Sequence, residues 1–288
     1  MAEVTRFTHK GIFFSPQYHS VENLIFLENE FQLLDDDIVS VVYPKSGTHW
    51  MAEILSLIRH DGDPTWINSV KLADRAPWFE SVTGMECALK YPPPRLMSTH
   101  LPFRLFPKSF LHSKAKIIYT ARNPKDVLVS SYHFGKALKI IKDPGSLEEF
   151  LEKFLNGNGL MASGSWFDHV KGWLEMRDRA NFFFNTYEEL QQDLRGSVGR
   201  ICRFLGKELN SQQIDSVVEN ASFQKMKGNK QSNGAHISDT VMDHTKGKLM
   251  RKGISGDWKN YLTVAQNEYF DRIYQEKMQG VKMTFPWD

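Results

Sequence analysis

The chain is 288 residues long, with 41% hydrophobic and 24% charged residues. That composition excludes a disordered chain and suits one large α/β domain spanning residues 1–288. Its net charge of +2, from 36 basic and 34 acidic side chains, lacks the basic excess of a nucleic-acid binder, so no nucleic acid is expected as partner.

The opening stretch from Met1 to Lys10 is polar and carries no apolar signal core, and Met1-Ala2 offers no glycine for myristoylation. No run approaches ~18 apolar residues, so no membrane span is expected. The two cysteines, Cys87 and Cys202, have no metal-ligand spacing around them. No metal is expected. Two free thiols suit a reducing compartment, with a disulfide as the alternative. Together these readings point to a cytoplasmic protein.

Ile38 to Tyr43 is compact and β-branched and reads as a buried parallel strand. Beyond a short loop, Met51, Ile54, Leu55 and Ile58 recur at helical spacing, and Gly62-Asp63-Pro64 ends that pattern. Arg95 to Thr99 reads as a short strand closed by His100-Leu101-Pro102. Lys116 to Ala121 is another strand, and Arg122-Asn123-Pro124 turns the chain into the next helix. Asn181 to Tyr187 is a third long strand candidate. Leu190, Leu194, Val198, Ile201 and Leu205 then read as one helix stopped by Gly206. Strands alternating with helices predict a central parallel β-sheet flanked by helices on both faces. From Phe223 to Gly253 the chain is rich in Lys, Asn, Gly and Ser and lacks a period, which reads as a long functional lid.

The loop Tyr43-Pro44-Lys45-Ser46-Gly47-Thr48 links the first strand to its helix. A phosphate there meets backbone N–H groups at a helix N-terminus, where the helix dipole favours an anion. Gly47 allows close backbone approach, Lys45 supplies a positive charge, and Ser46 and Thr48 add hydroxyls. The loop is P-loop-like but not a Walker A motif, which places its Lys after the second Gly. Alone, it also fits an ordinary strand-to-helix turn. Arg122 sits at another strand-to-helix entrance, where its planar fork suits bidentate phosphate contact, with Ser130 further along the same helix. Pairing of Arg122 with Asp126 on the surface is the competing reading. Arg251-Lys252 is either a solvated charge pair or, beside Gly253, a second phosphate contact.

These blocks together resemble the cytosolic sulfotransferases, and most closely the hydroxysteroid (alcohol or bile-salt) subfamily. YPKSGTHW from Tyr43 to Trp50 is similar to the family's 5′-phosphosulfate loop. Arg122-Asn-Pro-Lys-Asp-Val-Leu-Val-Ser130 is similar to its 3′-phosphate segment, and Arg251-Lys252-Gly253 to its C-terminal signature. Lys259 to Glu268, KNYLTVAQNE, resembles its dimerisation pattern and implies a homodimer.

The resemblance implies transfer of a sulfuryl group from 3′-phosphoadenosine 5′-phosphosulfate (PAPS) to a hydroxyl of a small apolar acceptor, a hydroxysteroid or bile acid. His100, in the context Ser98-Thr99-His100-Leu101-Pro102, is the implied general base. Lys45 is implied to stabilise the leaving group, with Ser130 holding it back until substrate arrives. The implied nucleotide contacts are Lys45, Ser46, Gly47, Thr48, His49, Trp50, Arg122, Ser130, Tyr187, Ser222, Phe223, Met226, Arg251, Lys252 and Gly253. The implied acceptor contacts are Pro44, Trp78, Phe134 and Leu138.

Several positions depart from the family pattern. His49 replaces Asn or Thr and is expected to alter a nucleotide contact. Ala221 replaces a hydroxyl residue, Gly135 and His133 replace bulkier aromatics, and Met242 stands where the gate carries an aromatic. Two other functions stay open at this point. One is a P-loop kinase or triphosphatase. The other is a steroid or bile-acid binder without catalysis on the same fold.

Overall fold

The computed structural model describes residues 6–159 and 163–288; the Met1-Ala2 start lies outside them. A small antiparallel hairpin, β1 (Phe7–His9) and β2 (Ile12–Phe14), precedes the main sheet. The sheet has four parallel strands: β3 (Ile38–Val42), β4 (Leu96–Thr99), β5 (Lys116–Ala121) and β6 (Phe182–Thr186), in the spatial order β4-β3-β5-β6.

Its strands are buried on both faces, as continuous apolar runs require. Because side chains alternate along a strand, Val39, Val41, Met97, Ile117 and Tyr119 enter one core. Leu96 and Ile118 enter the other, built around the Thr48–Arg59 helix. That helix is buried on more than the one face its periodicity predicts. Glu53 and Ser56 are inside as well. Glu53 is tolerated there because Arg75, equally buried, meets it at 2.7 Å and the Ser232 hydroxyl donates to it at 2.9 Å.

Two expectations are corrected. The run from Leu190 to Leu205 is two helices, Tyr187–Gln192 and Leu194–Leu205. Asp193 separates them, its carboxylate accepting from Gly196 N–H at 2.8 Å as the cap of the second. The segment expected as a loop from Phe223 begins instead with a helix, Phe223–Gly228, capped by Ser222. Beyond it, 229–256 holds no regular helix or strand. It is tied down by a bridge between Leu138 and Met242.

Chain order and spatial order differ at β3: β4 lies on one side of it and β5 on the other. The order in which strands are added reverses there, and such a switch point opens a crevice at the carboxyl ends of the strands. Those ends lead into Tyr43-Pro44-Lys45, His100, Arg122 and Tyr187 respectively. Among the described residues no helix is long and apolar enough to cross a membrane.

Candidate active site

A cleft of about 570 Å³ lies over these strand ends, a size suited to a drug-sized ligand. Every sequence-predicted site residue lines it except Ser46 and Ser222. Ser222 spends its hydroxyl on Lys225 N–H as a helix cap. Ser46 is fully buried, its Oγ without a hydrogen-bond partner.

One end of the cleft is built for anions. The chain turns through Lys45 at φ 69° and Gly47 at φ 108° before the Thr48–Arg59 helix begins. A Cβ on Gly47 would come within 3.0 Å of the Tyr187 ring, so this position needs glycine for both conformation and space. Arg122 does not pair with Asp126. Its Nη1 donates to the Lys45 carbonyl at 2.9 Å and its Nη2 to Ile254 at 2.9 Å, and its guanidinium stacks 4.2 Å from the Tyr187 ring centroid. Asp126 accepts instead from Gly256 N–H at 2.7 Å and Trp258 N–H at 3.0 Å, anchoring the C-terminal loop. Arg122 Nε is buried and unpartnered.

That loop brings Arg251 and Lys252 to the same end, both paired with Asp257 at 2.8 and 2.6 Å. Burial raises the Asp257 carboxyl, but Lys252, Asn260 and Arg251 outweigh it and hold it at about 2. A Cβ on Gly253, at φ 68°, would sit 2.1 Å from the Phe223 ring. Close to these cations stand aromatic faces: Trp50 meets Tyr187 edge-on at 5.0 Å and donates its indole N–H to the Ala221 carbonyl at 2.8 Å. Orphaned donors, a helix N-terminus, four cations and neighbouring aromatic rings fit a nucleotide that carries phosphate groups at two places.

Lys45 differs from expectation. No hydrogen bond joins it to Ser130; its ammonium lies 3.9 Å over the Phe134 ring. Burial, together with the charges of Arg122 and Arg251, lowers it to about 7.

The other end is apolar and surrounds His100. Its backbone is fixed twice. The N–H donates to Glu80 Oε1 at 2.9 Å, and the carbonyl lies 3.1 Å from His169 Nε2. His169 is held in turn by the Tyr119 hydroxyl at 2.9 Å. The His100 ring places Nδ1 2.6 Å from the Val42 carbonyl. A carbonyl only accepts, so Nδ1 carries the proton and Nε2 carries the accepting lone pair. Burial lowers His100 to about 4, with Lys45 adding to the effect, so the ring is neutral at pH 7.

His49 is turned to this side. Its ring packs against Trp78, with centroids 5.4 Å apart, on the side of the cleft that holds His100. Met242 is wholly buried, and Val241 borders the cleft in its place. His133 packs its ring on Tyr261 at 4.8 Å.

Glu80, Tyr18, His19, His236 and Leu249 also line the cleft and carried no local sequence signal. Glu80 is buried, and burial pushes its carboxyl up to about 7.

Residues 35–282 match the family described as the sulfotransferase domain. The chain is 52% identical to mouse sulfotransferase 2B1 over 98% of its length and 82% of that protein's. It is 47% identical to the 3-beta-hydroxysteroid sulfotransferase of Cavia porcellus, over 97% of this chain and 96% of that one. Among solved structures, mouse sulfotransferase SULT7A1 complexed with PAP superimposes with a TM-score of 0.80 at 34% identity, covering 97% of this chain and 95% of that one. An anion-binding strand-loop-helix, a neutral histidine across the cleft and these likenesses over almost the whole length agree: the chain belongs to the sulfotransferase family.

Proposed function

We propose that this protein, as one domain over residues 1–288, transfers the sulfuryl group of PAPS to a hydroxyl of a hydroxysteroid or bile acid. The observation that carries this reading is the pairing, in one cleft, of a cationic aromatic end with an apolar end holding a neutral His100 of fixed tautomer. The donor supplies an activated sulfuryl group. Lys45, Arg122, Arg251, Lys252 and the N–H groups at Thr48 hold its anionic ends, and Trp50, Tyr187 and Phe223 border its base.

His100 Nε2 takes the proton of the acceptor hydroxyl. Lys45 carries the positive charge that offsets negative charge built up on the leaving phosphate oxygen. Pro44, Trp78, Phe134 and Leu138 supply the apolar wall that an alcohol of steroid size needs. The likeness to the guinea-pig 3-beta-hydroxysteroid enzyme supports that acceptor class over phenols.

The test is to incubate the protein with labelled PAPS and a panel of hydroxysteroids, bile acids, phenols and amines. Labelled hydroxysteroid or bile acid is expected. No labelled product with any acceptor overturns the reading, and full turnover by His100→Ala overturns the assignment of the base.

The protein acts in the cytoplasm as a homodimer joined through Lys259 to Glu268. Val264, in the middle of that segment, is 76% exposed, more than any other large apolar side chain among the described residues. Sedimentation at micromolar concentration should give a dimer that Val264→Glu converts to monomer; a monomeric parent protein refutes this.

A further inference from the structure

Both ring nitrogens of His100 are engaged. Nδ1 donates to Val42, and Nε2 lies 3.1 Å from the indole Nε1 of Trp78. An indole N–H only donates, so it occupies the Nε2 lone pair, the one a general base needs.

The Trp78 backbone is clamped. It bridges to Ser98 beside β4, where Phe79 N–H donates to the Ser98 carbonyl at 3.2 Å and Ser98 N–H to Pro77 at 2.9 Å. Its own carbonyl accepts from Ser81 N–H at 3.0 Å and Ser81 Oγ at 2.8 Å. A Cβ on Gly84 would fall 1.9 Å from that carbonyl, so the next helix presses directly on it. The indole therefore leaves His100 only by rotating its own side chain. The His49 ring packs against it, tilted by 43°.

We propose that Trp78 is a cap on the base. In the ligand-free protein its N–H holds the Nε2 lone pair, an acceptor hydroxyl must displace it, and His49 sets how firmly it is held. Trp78 is thus a positioning residue with a role beyond apolar lining. An acceptor is selected twice, for filling the cleft and for replacing the indole at Nε2. The other groups facing His100 are the Glu80 carboxyl on its N–H, His169 on its carbonyl, and Lys45 and His19 nearby.

The proposal rests on His100 being the base, and its test is chosen to fail separately. Ligand-free ¹⁵N-labelled protein reports the His100 ring nitrogens without turnover, with His100→Ala identifying the signals. In Trp78→Phe the Nε2 signal should move toward that of an unbonded ring nitrogen. The His100 pKa should rise by about half to one unit. The acceptor KM should fall by roughly two- to tenfold, because the hydroxyl no longer competes with the indole. His49→Ala should shift the same signal in the same direction by less. In the parent protein, PAP plus a 3-hydroxysteroid should displace the Trp78 indole N–H signal, a measurement that stands even if Trp78→Phe does not fold. An unmoved Nε2 signal in Trp78→Phe, or an indole signal indifferent to the steroid, overturns the cap while leaving the base assignment intact.

Discussion

Binding of PAP (adenosine 3′,5′-bisphosphate) at pH 8 should draw close to one proton from solution, through Lys45. Burial lowers the free lysine to about 7, with the charges of Arg122 and Arg251 adding to the effect. One pH unit above that value it is only about one-tenth protonated. A bound nucleotide cancels the field of the two arginines and favours the ammonium form. Uptake should therefore be about 0.9 proton at pH 8 and about 0.5 at pH 7. Apparent affinity should weaken by up to about tenfold per pH unit above 7. Titration calorimetry in buffers of different ionisation enthalpy measures the stoichiometry directly. Lys45→Arg is the control: a guanidinium stays charged, so it should bind PAP with no linked proton. Uptake below about 0.2 proton at pH 8, or equal uptake in Lys45→Arg, refutes the reasoning.

Three further outcomes follow from the geometry. Because burial holds His100 at about 4, kcat/KM for the acceptor should keep its plateau well below pH 6 and fall only as pH drops through about 4; an acid limb near the ordinary histidine value counts against it. Gly253→Ala forces a Cβ into the Phe223 ring at a positive φ, so PAP affinity measured by calorimetry should fall by at least ~10-fold, and an unchanged affinity refutes the role of that close approach. Glu53→Gln leaves the Arg75 guanidinium buried without a countercharge and should cost about 3–5 kcal/mol in denaturant unfolding; a loss below ~1 kcal/mol refutes it.

Local chemistry carried much of the fold into the sequence. β5 occupies Lys116–Ala121 and Pro124 opens the next helix, both legible because strand composition and the fixed φ of proline act within a few residues. Asp193 was missed because a cap between two helices leaves their apolar spacing unbroken. The site divides in the same way. Lys45, Gly47 and Arg122 stand at strand ends and could be read from order alone. Glu80, the indole of Trp78 on His100, and His169 beneath it are contacts across 20, 22 and 69 residues. They exist only once β4 lies beside β3 and the Trp166–Leu174 helix covers that face. The contact of the His49 ring with Trp78 is of the same kind: the residues lie 29 apart in sequence and meet only in the fold.

The buried Glu53–Arg75–Ser232 cluster has a consequence for how acceptor preference can diverge. It pins the start of the irregular segment 229–256 to the helix that begins at the phosphate loop, and Leu72 N–H adds a bond to Gln231 at 2.9 Å. Residues beyond it, His236, Ile237, Val241 and Leu249, border the cleft. Exchanging His236, Ile237 or Val241 should retune which alcohol is taken, whereas Leu249, which lines a pocket with Lys45 and Arg251, should alter nucleotide affinity as well.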